Sequence, residues 1–472
     1  MIRKTACSAA ALLVLAGTTP AFATNGMNLE GYGAKSLAMG GTGMAYDTGN
    51  SAVMNNPATL GFMEEGSSEI GIGIRGLHPD VSLSYGPYTE KSGATAFYMP
   101  SLSYMRRDGR ISWGAAVLSQ GGMGTDFGSD SQIFAGGLSM MGSMVPMSGE
   151  SIRTEVGVGR VMFPIAYHLT ENTTIGGSLD VVWVGMDLQM DMDGDHFGRM
   201  MTGVGGSVGG SMAATLGSML SPSGPITDIN YARFDFSNAS QWTGEAKGYG
   251  AGFKLGFTHR FSKEFSIGAV YHSQTSISDL ETSKAVLAFE AQMGSTPFYQ
   301  SVTGTIKVHD FEWPATFAAG VAFRPSDRLI VACDVKHINW SSVMQRLFMT
   351  FTADNTVSNG PFAGQTLDVK MTQDWKDQTV WALGLQYMAT DRLALRAGAS
   401  FSGNPVPDLY LNPLFPAITK DHYTCGLGYR LSKVSSIAAA FSWAPEVKTV
   451  NGDGMVITHG QSNWALNYVY QL

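Results

Sequence analysis

The last nine residues of the chain, WALNYVYQL at 464–472, alternate between large apolar side chains and polar or small ones. Successive side chains of a β-strand point to opposite faces, so Trp464, Leu466, Tyr468 and Tyr470 would share one face of a strand. The same period of two recurs in several other segments, at 251–261, 317–324, 381–387 and 392–401. This pattern predicts an all-β protein in which each strand has one apolar face.

A soluble antiparallel sandwich would alternate in the same way, but three features favour a transmembrane β-barrel. The alternating segments are longer than the roughly five or six residues typical of soluble strands. Short turns, such as 106–110 and 168–173, alternate with long loops, such as 121–151 and 191–240, as in outer-membrane barrels. Aromatic residues lie at the ends of the apolar faces, where such barrels have their interfacial girdles: Trp113, Tyr167, Trp183, Tyr271, Trp443 and Trp464.

The alternating segments predict a transmembrane antiparallel β-barrel of about 14 strands within residues 67–472, with long extracellular loops. The sheet is expected to close, because every backbone polar group inside lipid needs a partner. Both chain ends would then lie on the periplasmic side. The predicted strands are 67–88, 92–106, 110–120, 152–168, 173–190, 241–260, 264–283, 302–325, 327–352, 366–389, 391–402, 419–432, 435–446 and 455–472.

Residues 1–23 have the pattern of a signal peptide, which predicts export. Together with the predicted barrel, it predicts a location in the bacterial outer membrane. Arg3 and Lys4 precede a short apolar run, and Ala21-Phe22-Ala23 supplies a cleavage site. Without Arg3 and Lys4, 28 Lys and Arg remain against 38 Asp and Glu, a net charge near −10, which disfavours nucleic acid as a partner. No later apolar run is long enough for a membrane-spanning helix.

Residues 24–66 lack the alternation and are predicted to form a small N-terminal hatch that plugs the barrel. A barrel of about 14 strands has a lumen too wide for its own side chains to fill. The segment carries apolar residues throughout, including Met27, Leu29, Leu37 and Val53, and this argues against the alternative of a disordered periplasmic tail.

The stretch GYGAKSLAMGGTGMAYDTGNSAVMNNPATL in this segment resembles the hatch of the FadL/TodX family of outer-membrane transporters for hydrophobic compounds. Asn56, Pro57 and Ala58 match the family's NPA tripeptide and are candidate hatch and gating residues. Further blocks at 100–127, 313–341 and 375–408 extend the resemblance over nearly the whole chain after residue 23. The resemblance implies a plugged 14-stranded barrel and a lateral exit at an inward kink of the third strand. That strand would be about 110–120, followed by Gly121, Gly122 and Gly124.

Two sets of side chains are candidates for ligand contact. Methionine adapts to varied apolar partners, so the Met-rich outer loops are predicted to capture hydrophobic ligands, with packing between loops as the equal alternative. The capture candidates are Phe134, Leu138, Met140, Met141, Met144, Met200, Met201, Met212, Leu216 and Leu220. Inside the barrel, a substrate carboxylate could pair with an inward-facing cation. These lumen candidates are Arg160, Lys254, Lys336 and Arg396, and the alternative is that they pair with barrel or hatch acids, namely Asp180, Asp187, Asp334, Glu30 and Asp47.

The predicted function is passive uptake of hydrophobic molecules by a monomeric channel, with long-chain fatty acids as the first expected substrate. Aromatic or other hydrocarbons are the alternative substrates. Met27 and Leu29 would touch the ligand, and movement of residues 24–30 would open the path. A general porin or an outer-membrane hydrolase is the alternative from another class; no nucleophile-elbow serine supports the latter. No cofactor or metal is expected, since the DMDGDHF sequence at 191–197 lacks the terminal Glu of a calcium loop.

Overall fold

The computed structural model describes residues 25–129, 131–138, 144–240 and 243–472, and the predicted signal peptide lies outside these residues. The helices of the described residues are α1 (Gly33–Ala38), α2 (Ala52–Asn55), α3 (Gln132–Ala135), α4 (Gly194–Met201) and α5 (Gly210–Met219). Short 3-10 helices occur at Gly49–Ser51, Pro57–Phe62, Trp340–Ser342, Val357–Phe362 and Asp408–Tyr410. Within the described ranges, no helix combines the length and the apolar character needed to cross a membrane.

Strands account for most of the described chain. They are β1 (Ser68–Tyr85), β2 (Tyr88–Lys91), β3 (Phe97–Asp108), β4 (Ile111–Gly128), β5 (Gly136–Leu138), β6 (Met144–Pro146), β7 (Ile152–His168), β8 (Thr173–Asp193), β9 (Gly206–Gly209), β10 (Asp228–Phe236), β11 (Ala246–Arg260), β12 (Phe265–His272), β13 (Ser276–Ile277), β14 (Leu280–Met293), β15 (Thr296–His309), β16 (Thr316–Ser326), β17 (Leu329–Ile338), β18 (Arg346–Ala353), β19 (Thr366–Thr372), β20 (Gln378–Met388), β21 (Leu393–Ser402), β22 (His422–Arg430), β23 (Ser435–Val450) and β24 (Val456–Gln471).

A closed antiparallel circuit of strands forms the wall of the barrel. In order around the circuit the strands are β1, β3, β4, β7, β8, β11, β12, β16, β17, β20, β21, β22, β23 and β24. The last strand closes on the first, with pairing from Glu69–Gln471 to Ser84–Val456. Closure removes the free sheet edges that lipid could not satisfy.

The two faces of the wall differ in the way that the alternation predicts. In β20, for example, exposed and buried residues alternate along the whole strand. Leu383 and Trp381 point outward and are 49% and 56% exposed, whereas Ala382 points inward and is buried. In the last strand, Leu466 is exposed and Asn463 is buried. The outer face is therefore an apolar surface suited to lipid, and the inner face carries small and polar side chains.

Additional strands extend the sheet beyond the wall, at the end opposite Leu472. Strands β10, β14, β15, β18, β19 and β9 pair one after another and continue from β8. With the short strands β2 and β13, which pair with β1 and β11, the sheet of the described residues has 22 strands. The sequence-based number of about 14 is therefore too low for the sheet as a whole. We call this set of strands the outer extension.

Four predicted strands each proved to contain more than one strand. The segment 264–283 contains β12, β13 and the start of β14, 302–325 contains the end of β15 and most of β16, 327–352 contains β17 and most of β18, and 366–389 contains β19 and β20. Asp310 and Asp374 adopt positive φ angles of 53° and 48° at two of the breaks, a conformation that short polar side chains tolerate. The loop expected at 284–301, between the predicted strands 264–283 and 302–325, was also wrong, because this interval lies largely within the hairpin of β14 and β15.

Residues 25–66, which we call the N-terminal segment, contact the inner face of the wall on several sides. The backbone N–H of Ala34 donates to Asn467 Oδ1 of β24 at 2.6 Å, and that of Gly43 donates to Asp334 Oδ2 of β17 at 2.6 Å. On the other side, Ser112 Oγ of β4 donates to the carbonyl of Leu60 at 3.0 Å. Because it reaches strands all around a closed circuit, this segment occupies the interior of the barrel.

Replacing Leu179, which is 71% exposed on the outer face of β8, with arginine is expected to lower the free energy of unfolding in lipid bilayers. The expected loss is about 2–4 kcal/mol, the cost of a cation on a lipid-facing strand near the middle of the membrane. Denaturant titration in vesicles would measure it. Val357→Arg is the control, since Val357 is 99% exposed outside the wall and its replacement should change little. An equal effect of the two substitutions would contradict the assignment of the lipid-facing surface.

Candidate functional site

A cavity of about 420 Å³, which we call the inner cavity, lies between the N-terminal segment and the wall. Residues 26–30 form one side of it, and β1, β3, β4, β7 and β8 form most of the rest. Its lining is mainly apolar and aromatic, and includes Met27, Leu29, Leu77, Phe97, Tyr98, Met99, Val117, Leu118, Met123, Val156, Val158 and Trp183. Cavities of this size and character bind small hydrophobic molecules.

The inner cavity is next to a gap in the wall between β3 and β4. The two strands pair from Asp108–Ile111 only as far as Leu102–Val117, whereas β3 continues along β1 up to Phe97. Beyond Val117, β4 continues along β7 with register shifts at 119–121 and 126–128. Residues 97–100 and 117–119 of the two separated strands line the cavity. We call this opening the wall gap. It lies at the third strand of the wall, where the family resemblance implies a kink, although β4 is longer than the predicted 110–120.

The N-terminal segment binds β4 at the point where β4 leaves β3. Leu29 N–H donates to the carbonyl of Gln120 at 3.3 Å, and Gly122 N–H donates to the carbonyl of Met27 at 3.0 Å. Asn28 and Gly121 form an antiparallel bridge between them. A side chain at Gly121 would obstruct this approach, because its Cβ atom would lie 2.0 Å from the carbonyl oxygen of Met27. Met27 and Leu29 therefore line the inner cavity in a fixed backbone conformation.

Glu30 is a buried anion at the edge of the inner cavity. It forms an ion pair with Arg75 of β1 and accepts a hydrogen bond of 2.9 Å from Asn463 Nδ2 of β24. Burial raises the pKa of the Glu30 carboxyl, but Arg75 and the hydrogen bond outweigh this and hold the pKa at about 2. This pair fixes the N-terminal segment to β1 and β24, beside the cavity.

The four lumen cations face inward as predicted, but none of them lines the inner cavity. Arg160 donates to Asp180 Oδ2 at 2.7 Å and to Gln120 Oε1 at 2.5 Å, and Lys254 pairs with the same aspartate. Lys336 donates to the carbonyl of Gly41 at 2.7 Å. Arg396 Nε donates to Gln386 Oε1 at 2.8 Å. These contacts give the four cations structural partners.

Sequence reasoning missed one cation, Lys247 of β11. It is exposed and lines the rim of the inner cavity, whose lining also includes the anions Glu30 and Glu155. It follows the alternation of β11, with its side chain on the same face as that of Tyr249, which is 63% exposed. Its outward position explains why a search for inward-facing cations did not select it.

The NPA tripeptide anchors the N-terminal segment at a distance from the inner cavity. Asn56 is fully buried, and its amide nitrogen donates to the carbonyls of Met44 at 2.8 Å and Phe257 at 3.2 Å. Its Oδ1 accepts from Ala58 N–H at 3.1 Å, and Pro57 begins the following 3-10 turn. This arrangement ties the segment to β11. A part for these residues in gating remains a prediction.

A second cavity of about 420 Å³, the outer cleft, lies among the loops and strands at the end of the barrel opposite Leu472. Its apolar lining includes Tyr85, Ile133, Phe134, Met147, Met190, Met192, Met371, Leu411, Leu414 and Met455. Asp191, which also lines it, is paired with Arg233 at 2.8 Å, and Asp193 Oδ1 caps α4 by accepting from His196 N–H at 2.7 Å. These contacts give two of the three aspartates of the DMDGDHF sequence structural roles.

Among the capture candidates whose side chains the structure describes, only Phe134 lines the outer cleft. Met200, Met212 and Leu216 are buried in the core, and Met201 and Leu220 pack against it. The backbones of Leu138 and Met144 pair in the hairpin of β5 and β6, and Met140 and Met141 lie outside the described residues. The positions of Met200, Met212 and Leu216 favour the alternative of loop packing for these three residues.

Comparisons with known proteins agree with this architecture. A family model described as outer membrane protein transport protein (OMPP1/FadL/TodX) matches residues 11–453. The toluene transporter TodX of P. putida has a solved structure that aligns with a TM-score of 0.78 and 28% identity, over 94% of this chain and 99% of that one. The long-chain fatty acid transport protein of Salmonella typhi is 22% identical over 447 residues, 92% of this chain and 91% of that protein.

One more relative matches a shorter stretch. An uncharacterized protein of Chlorobium limicola, from the 5′ region of a phosphoenolpyruvate carboxykinase gene, is 70% identical over 122 residues. The match spans 26% of this chain and 59% of that protein.

Gly121→Ala is expected to displace residues 27–29 from β4, because the new methyl group would collide with the Met27 carbonyl. The expected cost is about 1–3 kcal/mol, and it would appear as faster amide hydrogen exchange at Leu29. Gly157→Ala is the matched control on the neighbouring strand, since a Cβ atom there meets nothing within 4 Å. Unchanged exchange at Leu29 in Gly121→Ala would contradict the bridge between the segment and β4.

Glu30→Gln is expected to remove a pH dependence of stability between about pH 4.5 and about pH 2. The folded-state pKa of about 2 lies below the ordinary 4.5, so the contribution is complete above pH 4.5 and is lost as pH falls through about 2. The shift corresponds to about 3 kcal/mol. Unfolding free energies of the two proteins at pH 6 and pH 2 would measure it. An identical pH profile for both would show that Glu30 is not held as an anion.

Proposed function

This chain belongs to the outer membrane transport protein family OMPP1/FadL/TodX, and from this premise we propose that it is a passive channel for uptake of hydrophobic molecules. The observation that carries the proposal is the apolar inner cavity, enclosed between the N-terminal segment and the wall and next to the wall gap. A ligand there leaves water for an apolar lining, which contributes about 0.8 kcal/mol per buried methylene group. No energy source is needed for such transfer.

We propose that the ligand first binds in the outer cleft, where methionines and leucines from several loops meet. It then passes to the inner cavity, against Met27 and Leu29. From there it leaves through the wall gap into the membrane, or past the N-terminal segment after residues 24–30 have moved.

In this proposal residues 1–23 are a signal peptide, residues 24–66 act as the hatch, and a monomer suffices because the closed wall belongs to one chain.

The lining of the inner cavity favours neutral hydrophobic ligands. Phe97, Tyr98 and Trp183 offer aromatic surfaces, and the acids Glu30 and Glu155 are each paired with an arginine. The four inward-facing cations that could have neutralised a fatty acid carboxylate have hydrogen-bond or ion-pair partners outside this cavity: Arg160, Lys254, Lys336 and Arg396. The relative TodX, at 28% identity, is described as a toluene transporter. A monoaromatic hydrocarbon is therefore our first candidate substrate.

Long-chain fatty acids are the second candidate, on the strength of one observation. The exposed ammonium group of Lys247 lies at the rim of the inner cavity, where it could pair with a carboxylate while the acyl chain occupies the apolar interior. The Salmonella typhi relative, at 22% identity, is described as a long-chain fatty acid transport protein.

The experiment is transfer of radiolabelled toluene and oleate into vesicles that contain the purified protein. Leu118→Trp, which places an indole ring in the inner cavity, is expected to reduce transfer of the true substrate by about tenfold, because the ring obstructs the surface on which the ligand would lie. Ile165→Trp is the control, since Ile165 points to lipid and is 56% exposed. Toluene transfer without oleate transfer would support the first candidate, and the reverse would support the second.

Two results would contradict the channel proposal. Swelling of the same vesicles in small sugars would indicate an open porin. Equal transfer by the Leu118→Trp and Ile165→Trp variants would show that the inner cavity is not on the path.

A further inference from the structure

The two edges of β4 are occupied differently along its length. One edge pairs with β7 from Ile111–Tyr167 to Gly128–Ile152. The other edge pairs with β3, but only from Ile111 to Val117. A strand has two hydrogen-bonding edges. Gly121 of β4 pairs with Val158 of β7 and also bridges to residues 27–29 of the N-terminal segment. Residues 27–29 must therefore use the other edge of β4, which faces β3. The N-terminal segment thus replaces β3 along the part of this edge that follows Val117, which we call the upper part of the edge.

The corresponding part of β3, residues 97–101, is not paired with β4, and we call it the upper part of β3. Residues 97–101 pair with β1 on one side, and their other side faces the wall gap. Proline at position 100 fits such an edge, because it has no N–H group to leave unpaired. The remaining N–H and C=O groups of a free edge are costly next to lipid. This part of β3 therefore gains hydrogen bonds whenever the upper edge of β4 becomes free.

We infer that residues 27–29 and the upper part of β3 compete for the same edge of β4, so that the N-terminal segment itself holds the wall gap open. Withdrawal of the segment would free the Gln120 carbonyl and the Gly122 N–H, and β4 could then pair with β3. A path through the wall gap into the membrane and a path past the N-terminal segment are therefore alternatives. Withdrawal of the segment opens the path past it and, because β3 then pairs with β4, closes the wall gap. The inference concerns backbone pairing and does not depend on which ligand is carried.

The register of the existing pairs says which residues would meet. Continuing from Leu102–Val117 places Pro100 opposite Ser119. Pro100 lies on the outer face with Leu102, and Ser119 lies on the outer face with Val117, by the alternation of their strands. Directly opposed residues of an antiparallel pair are close enough for a disulfide bond. A cysteine pair at 100 and 119 therefore reports closure of the gap.

The test uses the full chain in outer membranes, with Cys333 and Cys425, the free cysteines of the described residues, replaced by serine. Pro100→Cys and Ser119→Cys are introduced, and the rate of disulfide formation with a mild oxidant is measured. Leu29→Pro removes the N–H that donates to Gln120, and is expected to raise this rate by about tenfold. Leu29→Ala is the matched control, because it shortens the side chain and keeps the donor, and its rate should remain near that of the parent.

Equal rates in Leu29→Pro and Leu29→Ala would overturn the inference, since side-chain burial rather than edge pairing would then control the gap. A fast rate in the parent would also overturn it, because the gap would close with the N-terminal segment in place. A second cysteine pair, Leu102→Cys with Val117→Cys, is joined by the existing pairing and should form a disulfide equally in all variants. If Leu29→Pro does not fold, deletion of residues 25–29 serves as the second variant, with the same expected increase.

Discussion

The pairing of backbone hydrogen-bonding groups is the constraint on which this structure depends. Inside lipid an unpaired N–H or C=O group costs several kcal/mol, so the wall must be a closed circuit, as the pairing of β24 with β1 makes it. The described wall relaxes this rule where β3 and β4 separate above Leu102–Val117. There the N-terminal segment supplies hydrogen bonds to β4 in place of β3. The apolar inner cavity lies at the same place, so the break in the wall and the candidate binding site have one structural origin.

Buried charge serves a different purpose in this barrel. Arg160, Asp180 and Lys254 form one buried network on the inner face, and Glu30 with Arg75 forms another contact between the N-terminal segment and the wall. Breaking a buried pair leaves an uncompensated charge, which makes such contacts strong determinants of position. The Glu30–Arg75 pair fixes the segment against the wall, and the other network joins β7, β8 and β11, while most of the inner cavity remains apolar. Buried charged residues thus position the N-terminal segment, whereas apolar residues supply most of the candidate binding surface.

The sequence predicted the facing of the wall strands because alternation depends only on local geometry. The apolar faces of 381–387 and 464–472 point outward as expected. Alternation could not show that 302–325 is two strands, because the pattern continues on both sides of the break near Asp310. Alternation also could not show which side chains of different strands contact one another. Arg160 was correctly predicted to face inward, but only the folded wall brings it to Asp180 and Gln120. The bridge of Asn28 to Gly121 lies between positions far apart in sequence, and the glycines at 121, 122 and 124 were its one local sign.

A structure of the protein in lipid with a bound monoaromatic ligand tests the central claim most directly. The account predicts ligand density in the inner cavity, against Met27, Leu118 and Met99, with residues 27–29 still paired to β4. Ligand bound at the outer surface of the wall alone, with the inner cavity filled by side chains, would contradict it.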